Sequence, residues 1–171
     1  MKKILILLTL ILNLTIAQNH SLQFYGSQYV TVPHDEAFNV GSNFTIEYWF
    51  TVDGGHSNDW IGIVSKTEGS HNTQTGFRCG LREPGSFPIG INYLLYLEGS
   101  RSDRTVIEYN FVAGEWYHFA GTYNGQIGRV FINGVEVYSF EYDGRVKSNN
   151  ENLTIGGQNG NYWNRNLNGN I

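Results

Sequence analysis

Polar and apolar residues alternate with a period of two along most of the chain, the repeat of a strand that presents its two faces to different surroundings. From Asn43 to Val52, Phe44, Ile46, Tyr48 and Phe50 fall on one side, and Thr45, Glu47, Trp49 and Thr51 on the other. The first side is expected to line a core. The second, a tryptophan among a carboxylate and hydroxyls, is expected to be a concave or loop-covered outer surface. The run EWYHFAGTYNGQIGRVFINGVEVY, Glu115 to Tyr138, reads as three strands: Trp116 to Tyr123, Arg129 to Ile132 and Val135 to Tyr138. Asn133-Gly134 joins the last two, and Asn-Gly between apolar runs signals a type I′ hairpin because both turn residues need positive φ.

Shorter β runs surround this meander. Ser21 to Val32 alternates about Gly26-Ser27 and is expected to form a hairpin or a bulged strand ended by Pro33. Trp60 to Val64, Phe77 to Leu81, Ile89 to Leu97, Thr105 to Phe111 and Leu153 to Ile155 add strands, and a turn of helix is expected at Glu36 to Phe38. Helical periodicity never persists beyond a turn or two. Many short strands with glycine turns predict an all-β, two-sheet antiparallel jelly-roll sandwich. Leu167 to Ile171 reads as the start of a last strand, so the domain is expected to lack its closing strand and to belong to a longer protein, with an unpaired edge beside the first β run.

Residues 1–17 stand apart. Lys2 and Lys3 precede the apolar Ile4 to Leu12, and Thr15-Ile16-Ala17 puts small residues before Gln18. That is the pattern of a secretory signal peptide, too short to span a bilayer. It predicts a secreted or cell-surface protein with one domain over residues 18–171 and no membrane insertion after cleavage. Cleavage leaves 154 of the 171 residues and moves the formal charge from −4 to −6. An acidic chain without basic clusters argues against nucleic acid, whose phosphates need lysine and arginine. Cys79, the single cysteine, has no internal partner and is expected to be a quiet, half-buried strand residue.

The blocks FTIEYWF (Phe44 to Phe50), EWYHFAGTYNG (Glu115 to Gly125), VFINGVEV (Val130 to Val137), LTIGG (Leu153 to Gly157) and LNGNI (Leu167 to Ile171) together resemble the laminin G-like, concanavalin A-like jelly-roll domains of secreted bacterial surface proteins. The resemblance covers roughly residues 21–171. It implies the sandwich fold, a bacterial source and, in some relatives, a structural calcium ion. Its members include glycan-binding or adhesive modules and polysaccharide-cleaving enzymes, so fold alone does not choose between them.

Glycoside cleavage calls for two facing carboxyl groups. Glu47, Glu108 and Glu136 each stand without an acidic neighbour two residues away, and the Glu-x-Asp-x-x-Glu triplet of glucanase relatives does not occur. No catalytic residue is assigned. His118 shares a face with Trp116 and is given a packing role, Trp116 itself being placed in the core, and His20, His34, His56 and His71 have no metal-ligand spacing. Asp35-Glu36, Asp53 and Asp59 are read as turn acids, although a calcium ion held by backbone oxygens would leave no motif. A glycan site combines an aromatic plate with amide or acid side chains that reach hydroxyl groups. The best match is Gln158 to Arg165, with Asn159, Asn161, Tyr162, Trp163 and Asn164 as candidate ligand-binding residues, and Trp60 beside Asn58 and Asp59 is a second. The alternative for Tyr162 and Trp163 is to cap an open end of the sandwich. The chain is therefore read as a non-catalytic extracellular module binding a glycan or an extracellular protein. A structural or adhesive spacer and a polysaccharide-cleaving enzyme are the alternatives.

Overall fold

A computed structural model describes residues 20–55, 60–68, 74–82, 90–98, 105–158 and 165–171. The signal-peptide stretch and the candidates Asn159, Asn161, Tyr162, Trp163 and Asn164 lie outside the described residues.

Twelve strands are described: β1 (Gln23–Tyr25), β2 (Val30–Val32), β3 (Phe44–Phe50), β4 (Trp60–Glu68), β5 (Thr75–Arg82), β6 (Gly90–Tyr96), β7 (Thr105–Glu108), β8 (Tyr117–Tyr123), β9 (Ile127–Ile132), β10 (Val135–Glu141), β11 (Leu153–Ile155) and β12 (Asn168–Asn170). One sheet has the order β2-β11-β4-β5-β6-β7 and the other β10-β9-β8-β3, every pairing antiparallel. The β1-β12 pair lies beside the continuation of β3, where the Thr51 and Asp53 amides donate to the Asn170 and Asn168 carbonyls at 2.9 Å. The first β run pairs on one side with the terminal block itself.

The alternation read from the sequence sets the inner faces. Phe50, Tyr117, Phe119, Tyr123, Val130 and Ile132 from one sheet meet Ile61, Phe77, Cys79, Leu81, Ile91, Tyr93 and Leu95 from the other. Tyr93 spans the layers, its ring centroid 6.1 Å from Phe119 and 6.2 Å from Phe140. Burying such side chains is the main favourable term in folding.

The predicted meander is present, with its middle and last strands extended to Ile127 and Glu141. Asn133 and Gly134 have φ of 51° and 79°, and Asn133 Oδ1 accepts the His118 amide at 2.8 Å. At the first turn Asn124 Oδ1 accepts from the Gln126 and Ile127 amides at 3.1 and 2.7 Å, an Asx-type turn. Asp35 caps the predicted turn at Glu36–Phe38, accepting from the Ala37 amide at 2.8 Å.

Four expectations are corrected. Ser21 to Val32 is neither a hairpin nor one bulged strand: β1 and β2 belong to different sheets, and Gly26, at φ 75°, lies in the link that carries the chain between layers. Trp116 is 46 % exposed, because Tyr117 and Phe119 take the inward positions of β8. Trp49 is 57 % exposed, so the outer face of β3 is open rather than loop-covered. Cys79 is fully rather than half buried.

Candidate ligand-binding site

Strand β5 places Phe77, Cys79 and Leu81 in the core, so Arg78, Gly80 and Arg82 point to the opposite face of the six-stranded sheet. Pairing extends that outer face in rows. Trp60 lies opposite Arg82, Arg82 opposite Gly90, and Gly90 opposite Glu108. In the next row Gly62 faces Gly80 and Gly80 faces Asn92.

Side chains on these rows lock one another. The Trp60 ring lies 4.6 Å from the Arg82 guanidinium carbon and 5.6 Å from that of Arg78, within cation–π range. Arg78, 4 % exposed, donates through Nε and Nη2 to Asn92 Oδ1 at 3.1 and 3.0 Å and through Nη1 to Gln158 Oε1 at 2.8 Å. Arg165 Nη1 reaches the same Gln158 oxygen at 3.3 Å. Asn92 is buried, and its Nδ2 has no hydrogen-bond partner among the described residues.

Glycines bring the chain close over this floor. A Cβ on Gly62 would stand 2.5 Å from the Gly157 carbonyl oxygen, and one on Gly80 would stand 1.9 Å from the Ile61 carbonyl oxygen. Gly157 is held from beneath by Ser65 Oγ at 3.2 Å and Thr154 Oγ1 at 3.1 Å, which bond to each other at 2.7 Å. The Gly62 amide donates to the Arg165 carbonyl at 3.0 Å. Gln158 and Arg165, the two ends of the predicted recognition segment, are therefore anchored on the Trp60 end of the sheet.

Of the predicted site residues Trp60 stands in this cluster, and the five between Gln158 and Arg165 lie outside the described residues. Arg78, Arg82 and Asn92 were missed. The signal for the arginines was the parity of β5, where an apolar set at 77, 79 and 81 sends 78 and 82 outward. The half-buried Trp60 ring and the Arg82 guanidinium stand at the end of this row, held by the buried Arg78 and Asn92, and a ring beside a guanidinium is chemistry suited to stacking on a sugar and bonding its hydroxyl groups.

Two of the acids noted in the sequence serve elsewhere. Glu47 Oε2 is 3.7 Å from His118 Nε2 and Glu136 Oε2 is 3.5 Å from Arg129 Nε, both on the other sheet. Among the described residues no three His, Cys, Asp or Glu side chains gather as a metal site. Asp35 is engaged in its cap, accepting from the Ala37 amide at 2.8 Å.

The model for the concanavalin A-like lectin/glucanases superfamily matches residues 24–171. The chain belongs to this superfamily. Among solved structures, the binding domain of Paraclostridial Mosquitocidal Protein 1 is similar with a TM-score of 0.61 at 18 % identity, over 88 % of this chain and 37 % of that one. Domain 4 of AbnA, an extracellular arabinanase from Geobacillus stearothermophilus solved with arabinotriose, gives 0.61 at 15 %, over 88 % and 66 %. The CBM40 of a Ruminococcus gnavus sialidase, bound to α2,3 sialyllactose, gives 0.61 at 12 %, over 90 % and 86 %. At such identities the likeness is one of fold. The chain spans less than two thirds of the first two structures. No curated protein sequence matches it.

Proposed function

We propose that this superfamily member is a non-catalytic extracellular module that binds carbohydrate at the Trp60 end of its six-stranded sheet. The observation that carries the reading is the Trp60 ring set against Arg78 and Arg82, with Arg78 fixed by Asn92 and Gln158. Recognition requires no bond to be made or broken. A preorganised ring and donor set lowers the ordering cost of binding. The signal-peptide pattern supports a secreted or surface location and the block resemblance a bacterial one. No helix among the described residues is long and apolar enough to cross a membrane. The solved structures of similar fold that hold arabinotriose and sialyllactose support a glycan as the ligand class.

The test is a glycan-array and polysaccharide pull-down screen of the purified chain, with calcium and with chelator, beside Trp60→Ala and Arg82→Ala. Loss of a stacking ring costs about 1–3 kcal/mol, roughly a 5- to 150-fold loss of affinity. Binding unchanged in both variants would remove the site, and no binding by the folded chain in either condition would favour the spacer reading.

A further inference from the structure

The outer face of the four-stranded sheet carries an assembly that the Trp60 site does not use. Strand pairing sets Trp49 opposite His118, Glu47 opposite Ala120 and Ala120 opposite Phe131. Thr122, two residues along β8 from Ala120, faces Arg129. Ala120, with the smallest side chain of the group, is at the centre. Lateral neighbours in a sheet stand about 5 Å away and neighbours two residues along a strand about 7 Å. The larger side chains of Glu47, Phe131, His118, Thr122, Trp49 and Arg129 therefore wall a shallow saucer whose floor is one methyl group.

The saucer is open and its ring is held. Trp49 is 57 % exposed on a regular strand, and its ring lies 5.1 Å from that of His118 at 48°. A tryptophan fixed by backbone and a neighbouring ring loses little freedom when a ligand stacks on it. The polar groups beside it remain available: Glu47 and His118 stand 3.7 Å apart, longer than a hydrogen bond, with 65 % and 25 % of their side-chain surfaces exposed.

Charge selects the ligand. Glu136 is offset by Arg129 and Glu47 stands beside the imidazole of His118, so the face carries at most a single uncompensated negative charge and offers both donors and acceptors. An anionic or cationic partner gains little there. A neutral polyol with one apolar face matches it, stacking on Trp49 while its hydroxyl groups meet Glu47, His118 and Thr122. We propose that this saucer is a second carbohydrate-binding site, separate from the Trp60 end of the other sheet, that takes one ring of a neutral polysaccharide over Ala120.

Affinity gel electrophoresis tests it, with native gels containing hydroxyethylcellulose, xylan, soluble starch, galactomannan or laminarin. The wild-type chain is run beside Trp49→Ala, Ala120→Gln and Trp60→Ala. Ala120→Gln fills the saucer from an outward position and removes none of its walls. The expected result is retardation by at least one of these polymers, weakened at least 10-fold by Trp49→Ala and by Ala120→Gln and retained in Trp60→Ala. Retardation that survives both Trp49→Ala and Ala120→Gln overturns the proposal, as does the absence of retardation in all five polymers. Retardation lost only in Trp60→Ala would assign neutral-sugar binding to the other sheet and overturn it equally.

Discussion

Lys66 is the residue whose chemistry departs furthest from its surroundings. It is 1 % exposed, and its Nζ donates to the Asn149 carbonyl, Asn149 Oδ1 and the Glu151 carbonyl, each at 2.8 Å. The ammonium acts as a built-in cation inside a shell of oxygens, tying the segment before β11 to β4. Burial lowers its pKa from the ordinary 10.5, with Glu36, Glu151 and Glu68 partly opposing that shift. Lys66→Met keeps the apolar stem and leaves three acceptors without their donor, so a loss of about 3 kcal/mol is expected in urea denaturation. The pH dependence has a definite sign. Between the lowered folded value and 10.5 the unfolded chain holds more protons, so this residue makes stability rise with pH across that interval. Tyrosines whose pKa burial raises, such as the half-buried Tyr48 and the buried Tyr93, oppose this above pH 10, and the difference between wild type and Lys66→Met isolates the lysine. Cys79 illustrates the reverse case, a group made inert by burial: desolvation pushes its thiol well above the ordinary range. Native protein should therefore resist a thiol-specific reagent until denatured, and rapid labelling in the native state would mean that β5 opens.

At the scale of the element, turn chemistry can be separated from available space. Gly134 has φ +79° and nothing within 4 Å of the point a Cβ would occupy, whereas Gly76 has φ +82° and a Cβ there would stand 1.8 Å from the Lys66 carbonyl oxygen. Gly134→Ala should cost only the left-handed backbone penalty, about 1–2 kcal/mol. Gly76→Ala should cost clearly more, because β5 would have to move away from β4, and equal losses in chemical denaturation would contradict the contact argument. The same contrast explains which elements were legible. The β9–β10 hairpin was readable because Asn133-Gly134 carries its own instructions, independent of distant residues. The separation of β1 from β2 was not, because nothing local to Gly26-Ser27 says which sheet each half will join. Trp116 shows the limit of alternation: its shared parity with His118 was read correctly, but parity does not say which face meets the second sheet.

Across the whole molecule, legibility falls where a strand is buried on both faces. β6 is buried along its length, and Leu94 and Tyr96 on its outer face are as apolar as Ile91, Tyr93 and Leu95 on its inner one, so the contrast that would mark Asn92 as outward is weak. Trp60 was found by its polar neighbours, while Arg78 and Arg82 gained meaning only when pairing set them beside it. The two ends of the described chain are joined in a way no local pattern indicates: the Leu22 amide donates to the Ile171 carbonyl at 2.8 Å and the Ile171 amide to the Leu22 carbonyl at 3.0 Å. This pairing covers Phe24 and Leu167, which are 4 % and 0 % exposed. It also reaches the ligand site, since the Leu167 amide bonds the Gly156 carbonyl at 2.9 Å, just before the segment that holds Gln158. Gly169 is the point at which this arrangement can be tested, because a Cβ there would stand 2.2 Å from the Thr51 carbonyl oxygen. Gly169→Val should push β12 off the end of β3 and lower stability by roughly 3 kcal/mol, the scale of a backbone clash in a packed region. Hydrogen exchange would show how the loss is distributed. Fast exchange confined to Leu22, Thr51, Asp53 and Ile171 would make the β1–β12 ribbon a separately opening unit on a stable meander. Equal loss of protection at Phe119 and Val130 would make the ribbon part of one cooperative sandwich, and the Trp60 site would then weaken together with the fold.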